Sequence, residues 1–261
     1  MPNDVTNILE FDCGIEQSTE IMEFLREKGK GYGTIDFNKL IPMPESLDIT
    51  EGSETDRGIE IYLTAVNPKT KDYGIPKMSE SDFSVLFRLL SNERHFGLYN
   101  AKLNDDEIEE YTKSSSFAYC YKIGEVAANN MKQYGATTWY KWCIKHWGSK
   151  WNAYDCVDVD PGDGCMIFYT AWDSVPNVIR KISEKFPNVT MHYSWADEDL
   201  GSNTGRLTFK YGQEIDRDIP PDQSLHAYEI ACDAWGYDID DLGLKPSVDP
   251  HQAKHKEHEA R

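Results

Sequence analysis

The chain has 261 residues and a mass of 29.9 kDa. Its 45 acidic residues against 27 basic ones give a formal net charge of −18, and 39% of its residues are hydrophobic. The length suits one large domain or two small ones, the 12% aromatic share excludes wholesale disorder, and the acidity disfavours nonspecific binding to phosphate backbones. In chain order, Val5 to Phe11 alternates in β-forming residues and reads as a strand. Ser18 reads as the N-cap of a helix carrying Ile21, Met22, Phe24 and Leu25 and stopping at Gly29. Ile35 to Pro44 reads as extended, because its two prolines exclude a helix interior. Residues 48 to 78 read as irregular apart from a short apolar stretch, Ile59 to Val66. Helices follow over Ser79 to Leu90, from Asn104, over Phe117 to Tyr134, and over Thr138 to Trp147.

From there the period changes. Trp151 to Val159 and Cys165 to Trp172 read as two strands of a hairpin turning at Asp160 to Gly164. Ser174 caps the next helix, with Pro176 in its first turn and Val178, Ile179, Ile182 and Phe186 on its apolar face. Val189 to Trp195 and Gly205 to Tyr211 read as strands, and Gln223 to Trp235 as a last helix. Residues 237 to 261 read as a polar C-terminal tail. This order predicts an α+β fold, a ferredoxin-like split βαβ antiparallel sheet. The expected organisation is a single domain over residues 1 to 236 with a helical insertion at about 79 to 148.

The six cysteines form no C-x-x-C pair and have no histidines at zinc spacing, so they read as reduced, although a Cys156–Cys165 disulfide across the hairpin is compatible with the pattern. No apolar run reaches the roughly 18 residues of a spanning helix, and the first residues lack a signal-peptide pattern. No membrane association and a cytoplasmic location are therefore expected. Charge is uneven: residues 101 to 150 carry a net +1, whereas 1 to 50 and 151 to 200 carry −6 each. An acidic surface either keeps a protein soluble or offers a face to a basic partner.

The string from Trp139 to Tyr154 (W-Y-K-W-C-I-K-H-W-G-S-K-W-N-A-Y) is the most distinctive in the chain. With it go Thr170-Ala171-Trp172, Phe186-Pro187, Trp195-Ala196-Asp197-Glu198-Asp199, and near the start Val5-Thr6-Asn7, Ile35-Asp36-Phe37-Asn38 and Ile41-Pro42-Met43-Pro44. Together, over about residues 2 to 236, these resemble the YubB ferredoxin-like family, uncharacterised proteins of plasmids, phages and integrated elements. The resemblance implies the same fold and a mobile-element origin. It implies no activity, and no iron–sulfur cysteine spacing is present.

Three constellations carry the functional expectations. Trp139, Trp142, Trp147, Trp151, Tyr154, Trp172 and Trp195 form an aromatic set that either lines a pocket or packs helices on the sheet. Asp197, Glu198 and Asp199 at a strand end are suited to acid–base work, and their structural alternative is capping. Lys141, Lys145, His146 and Lys150 form a small basic patch beside the tryptophans. Asp158 to Gly164 departs from a calcium loop, because Pro161 intrudes and no closing glutamate follows. His251, His255 and His258 have metal spacing only if the tail is helical. No phosphate loop, dinucleotide fingerprint or hydrolase elbow occurs, so no cofactor and no metal are expected. The leading reading is a non-enzymatic protein of a mobile element that binds a host or defence-system protein through an acidic surface. The alternatives are a ligand binder or enzyme using the Asp197 cluster, and a nucleic-acid-binding accessory protein using the lysine patch.

Overall fold

The computed structural model describes residues 2–93 and 113–243. The helix expected from Asn104, the tail beyond 243 and its three histidines lie outside the described residues. The chain divides into two compact units, one made from Met1–Pro42 and His146–Arg261, the other from Met43–Lys145.

The first unit is built on a five-stranded antiparallel sheet in the order β2-β1-β3-β4-β5. The strands are β1 (Asp4–Asp12), β2 (Cys165–Ala171), β3 (Thr190–Asp197), β4 (Thr204–Lys210) and β5 (Gln213–Asp218). β1 lies between β2 and β3 and pairs antiparallel with both, so β2 and β3 run the same way with β1 inserted between them. This is the split βαβ of a ferredoxin-like fold. Three helices accompany the sheet: α1 (Ile15–Leu25), α6 (Pro176–Lys185) and α7 (Leu225–Trp235). Strand alternation assigns the faces. Tyr193 pairs with Leu207 and points toward the start of α6, where its hydroxyl accepts the Val175 N–H at 2.8 Å. Arg206, opposite Ser194, points the other way and meets Asp233 on α7 at 2.6 Å. Val5, Leu9, Met166, Phe168, Met191 and Tyr193 are buried on the α6 side, and Asn7 is buried among them. Asn7 is satisfied there, because its Nδ2 donates to Thr170 Oγ1 at 2.8 Å and its Oδ1 accepts from Tyr193 Oη at 2.6 Å. A buried polar group stays in a core only with such partners.

The second unit is helical: α2 (Ser53–Val66), α3 (Glu80–Glu93), α4 (Ser115–Tyr134) and most of α5 (Trp139–Trp147). Its core joins Ile59, Tyr62, Leu63, Val66, Leu86, Leu90, Ala127, Ala128 and Met131. α2 and α4 cross at Gly58 and Gly124, where a Cβ on Gly124 would lie 1.9 Å from the Gly58 carbonyl oxygen. Only a residue without a side chain permits that approach.

Several expected elements differ. α2 falls inside the stretch read as irregular: its start at Gly52 (φ 124°) has no side-chain cap, and Gly58 in its interior reads as a breaker until the α4 contact is seen. The first helix starts at Gly14, and Ser18 is buried within it, donating to the Pro161 carbonyl at 2.7 Å. The helix ends at Leu25, ahead of Gly29, and a 3-10 turn over Phe37–Lys39 interrupts the segment read as extended. The strand expected over Trp151 to Val159 is a loop that touches β2 through a Tyr154–Tyr169 bridge and one Val157 N–H to Ile167 bond of 2.9 Å. Asp155 at φ 44° breaks its extension. Val175, not Ser174, is the N-cap of α6. β5 was not expected, because Gln-Glu-Ile-Asp-Arg-Asp has no apolar alternation, and five of its six residues are exposed at the sheet edge. All six cysteines are free.

Candidate functional site

The register gathers one end of the sheet from distant sequence. Asp4 pairs with Ala171, Val5 with Asp197, Ala196 with Thr204 and Arg206 with Asp218. The start of β1, the ends of β2, β3 and β5, and the start of β4 therefore lie together. The connections leaving this end are residues 172–175, 198–203 and 219–224. They contain Asp173, Glu198, Asp199 and Asp222 and no lysine or arginine.

Trp172 follows β2 in the left-handed region at φ 71°, rare for a bulky residue. Its N–H donates to the Asn3 carbonyl at 2.9 Å, and Asn203 Nδ2 donates to its carbonyl at 3.2 Å. Asn203 knots this end: its Oδ1 accepts from Trp195 Nε1 at 3.2 Å, and its N–H donates to Asp222 at 3.3 Å. Among the described residues five non-glycines have positive φ, and four of them, Asp155, Trp172, Asn203 and Gln223, sit at this end. Such strain costs about 1–3 kcal/mol per residue and clusters at functional surfaces.

Asp197 is buried, and its Oδ1 accepts from Asn3 Nδ2 at 3.0 Å and from the Asp199 N–H at 2.9 Å. Its carbonyl accepts from Trp235 Nε1 at 3.1 Å. The carboxylate therefore ties the β3 end to the N-terminal segment. Glu198 and Asp199 are exposed, and the Glu198 N–H donates to the Asp4 carbonyl at 2.9 Å. Tyr154 donates its hydroxyl to Asp4, and burial, the Asp4 bond and the nearby Asp155 and Glu198 charges push its pKa well above the ordinary tyrosine value. Rings continue from it: Trp151 meets Tyr154 edge-on at 6.3 Å, Tyr154 meets Tyr169 at 6.5 Å, and Tyr169 meets Trp235 at 5.7 Å.

The aromatic set is thus divided. Trp195 is buried and stacks on Tyr193 at 5.3 Å. Trp147 is buried edge-on to Phe37 at 5.7 Å and donates Nε1 to the Ile41 carbonyl at 2.9 Å. Trp142 is buried and Trp139 half-buried in the helical unit, Trp139 standing edge-on to Tyr140 at 5.7 Å. Trp151 and Trp172 remain 37% and 43% exposed. The lysine patch divides too. Lys141 and Lys145 belong to the helical unit, where Lys141 Nζ donates to the Glu93 carbonyl at 2.5 Å. Lys150 belongs to the sheet unit and places its ammonium 4.6 Å from the Trp151 ring centre and 4.7 Å from that of Trp172. Asp160-Pro161-Gly162-Asp163 is a 3-10 turn in which Asp160 accepts the Gly162 N–H at 2.7 Å. Among the described residues no three His, Cys, Asp or Glu side chains are placed to share a metal ion. None of the described helices is long and apolar enough to cross a membrane.

Sequence reading did not find Asn3, Asp4, Tyr169, Asn203 or Trp235 as parts of this end. Only register brings them in, and the sequence signal was limited to the tyrosine–tryptophan content of the flanking segments.

Residues 147–239 match a family model described as a ferredoxin-like domain in Api92-like protein. The match bears on the fold and covers the part of the chain from Trp147 to Ile239. No curated protein matches the chain. Among solved structures, the chain is similar to the crystal structure of a protein Api92 from Yersinia pseudotuberculosis, at 10% identity and a TM-score of 0.39, over 85% of this chain and 99% of that one.

Proposed function

We propose that this chain is a non-enzymatic binding protein that takes up a basic protein partner at the acidic, tryptophan-bearing end of its sheet. The reading is carried by one observation. The three connections at that end hold Asp173, Glu198, Asp199 and Asp222 without a lysine or arginine, beside the exposed rings of Trp151 and Trp172. Acidic connections beside exposed aromatic rings favour a cationic protein and repel phosphate, the Lys150 ammonium against those rings being a local exception in sign. The buried Asp197 serves as a tether, its Oδ1 already accepting two hydrogen bonds, which counts against an acid–base role. The resemblance to the YubB family supports a mobile-element setting, in which the partner is a host or defence-system protein.

The test is an affinity capture from host lysate, with and without nuclease. The bait is the wild type and a variant carrying Asp173→Lys, Glu198→Lys and Asp199→Lys. A second variant reverses Glu16 and Glu20, exposed on α1, as a charge control. We expect a nuclease-resistant protein that the wild type and the α1 control retain, that the triple variant loses, and whose retention falls as salt rises. Capture indifferent to the triple reversal overturns the reading, and capture that vanishes with nuclease favours the nucleic-acid alternative.

A further inference from the structure

We infer that the outer edge of β5 takes up an extended basic segment of the partner as a sixth strand of the sheet. The inference rests on the basic-partner reading and says how the partner's backbone is held. The two edges of the sheet differ. Along β2, Tyr154 and Tyr169 exchange backbone bonds of 3.1 and 3.0 Å, and the Val157 N–H donates to the Ile167 carbonyl at 2.9 Å, so a loop of the chain itself occupies that side. Along β5, among the described residues, no segment other than β4 makes a backbone bond, and five of the six residues are exposed. An open edge offers main-chain bonds to an extended peptide, and alternate side chains then decide which peptide fits.

The edge is set before anything binds. β4 and β5 are joined through Tyr211 and Gly212, at φ 55° and 69°, the two left-handed residues of a tight hairpin turn. Arg217 grips Glu214 at 2.5 and 2.7 Å, and Asp218 is bonded to His226 of α7 at 2.8 Å. A bulge at Ile215, opposite Thr208 and Phe209, leaves Asp216–Asp218 as the regular stretch, which runs on into residues 219–224 of the acidic end.

Charge chooses the guest. Asp216 and Asp218 lie opposite Thr208 and Arg206, on the α7 face of the sheet. Around them Arg206 is bonded to Asp233, and His226 to Asp218 and Glu229, so four carboxylates meet one guanidinium and one imidazole. Asp216 and Asp218 are two residues apart, so alternate side chains of a guest strand come about 5 Å from them. Lysine or arginine at those positions completes opposite-charge pairs, and an acidic or phosphorylated segment is repelled. β-Branched residues between them suit the other face, where Ile219 is 47% exposed.

The test uses the full chain and three nine-residue probes at low salt: a peptide alternating threonine and lysine, its glutamate counterpart, and the lysine peptide N-methylated at every residue, which keeps the charge and has no amide donors. Binding is measured by calorimetry, and hydrogen exchange is resolved by segment. We expect the lysine peptide to bind several-fold tighter than its methylated form and the glutamate peptide not to bind. The β5 amides should exchange several-fold more slowly in the complex, while those of β2 do not change. Asp216→Lys should weaken binding several-fold more than Glu16→Lys, which makes the same charge change at an exposed position on α1. Equal binding of the methylated peptide, or β5 amides that gain no protection, overturns the strand inference. If the lysine peptide binds, is lost with Asp173→Lys and Glu198→Lys, and leaves β5 unprotected, the added strand falls and the acidic-end reading stands. If no peptide binds, the added strand falls, and the lysate capture decides the partner reading by itself.

Discussion

Replacing Gly124 by alanine tests the reasoning about the helical unit. The added Cβ would meet the Gly58 carbonyl oxygen at 1.9 Å, the Gly58 carbonyl carbon at 2.4 Å and Tyr62 Cβ at 2.8 Å. None of these atoms ends a flexible side chain. An ordinary carbon–oxygen contact is about 3.3 Å, so α2 and α4 must separate by more than about 1 Å at their crossing. That separation loosens Ile59, Tyr62, Ala127 and Ala128, which share one buried cluster. Overpacking of this kind costs about 3 kcal/mol at the upper end of its usual range. Alanine returns about 1 kcal/mol through its higher helix propensity. The net loss of about 2 kcal/mol corresponds to a melting temperature about 8–16 °C lower for a unit of this size. Because a chain with two units need not unfold in one step, the sharper assay is native-state hydrogen exchange resolved by segment. Amides of α2 and α4 should exchange about 30-fold faster, while β1 and β3 change little. Gly14→Ala, where no atom lies within 4 Å of the new Cβ, serves as the control. Unchanged or greater protection of α2 in the Gly124 variant would refute the packing argument.

Two further predictions concern the sheet unit. Tyr193→Phe removes a fully buried hydroxyl that donates to Asn7 Oδ1 at 2.6 Å and accepts the Val175 N–H at 2.8 Å, and the orphaned partners should cost about 2 kcal/mol in denaturant unfolding. A loss below about 0.5 kcal/mol would mean that the Asn7–Tyr193 link is not structural. His226 is bonded by Asp218 at 2.8 Å and Glu229 at 3.2 Å, and both partners raise its pKa above the ordinary 6.5. A raised folded pKa means that the pair's stabilisation is fully present below the unfolded value and fades as pH rises through the folded one. An NMR titration of the imidazole should show a midpoint above 6.5 that Asp218→Asn lowers, and a midpoint at or below 6.5 refutes the bonding.

The sheet was legible wherever apolar residues alternate or follow helical spacing. β1, β2, β3, β4, α6 and α7 were read close to their observed bounds for that reason. α2 carried the pattern Ile59, Tyr62, Leu63, Val66, but Gly58 hid it, and the value of that glycine depends on a contact with Gly124 far along the chain. β5 was invisible because an edge strand with exposed side chains needs no apolar face. The expected strand at Trp151 to Val159 alternated as a strand does, yet Asp155 turns left-handed and Trp151 points its ring toward Lys150. The site was legible as residue types and not as groups. Adjacent tryptophans in sequence, Trp147 and Trp151, divide between a core and a surface, while Asn3 and Asn203 meet at Trp172 through strand register alone.

The outer edge of β5 bears on how the protein behaves when concentrated. A last strand exposes a row of backbone donors and acceptors that can seed intermolecular sheets. Here that row carries Glu214, Asp216 and Asp218 against Arg217, and the Arg217 fork is already engaged by Glu214 at 2.5 and 2.7 Å. A second copy laid along the edge brings surplus acid beside surplus acid, so the strand refuses its own kind. The safeguard is only as good as its ionisation. Arg217 holds the Glu214 carboxyl below its usual range, so this acid keeps its charge further into the acid range than a free glutamate. Ile215 on this strand and Ile219 just beyond it are 57% and 47% exposed, so an edge stripped of its charge would offer apolar side chains to a second copy. The guard on this edge is thus chemical and not architectural: it lies in the side-chain charges and not in any covering element.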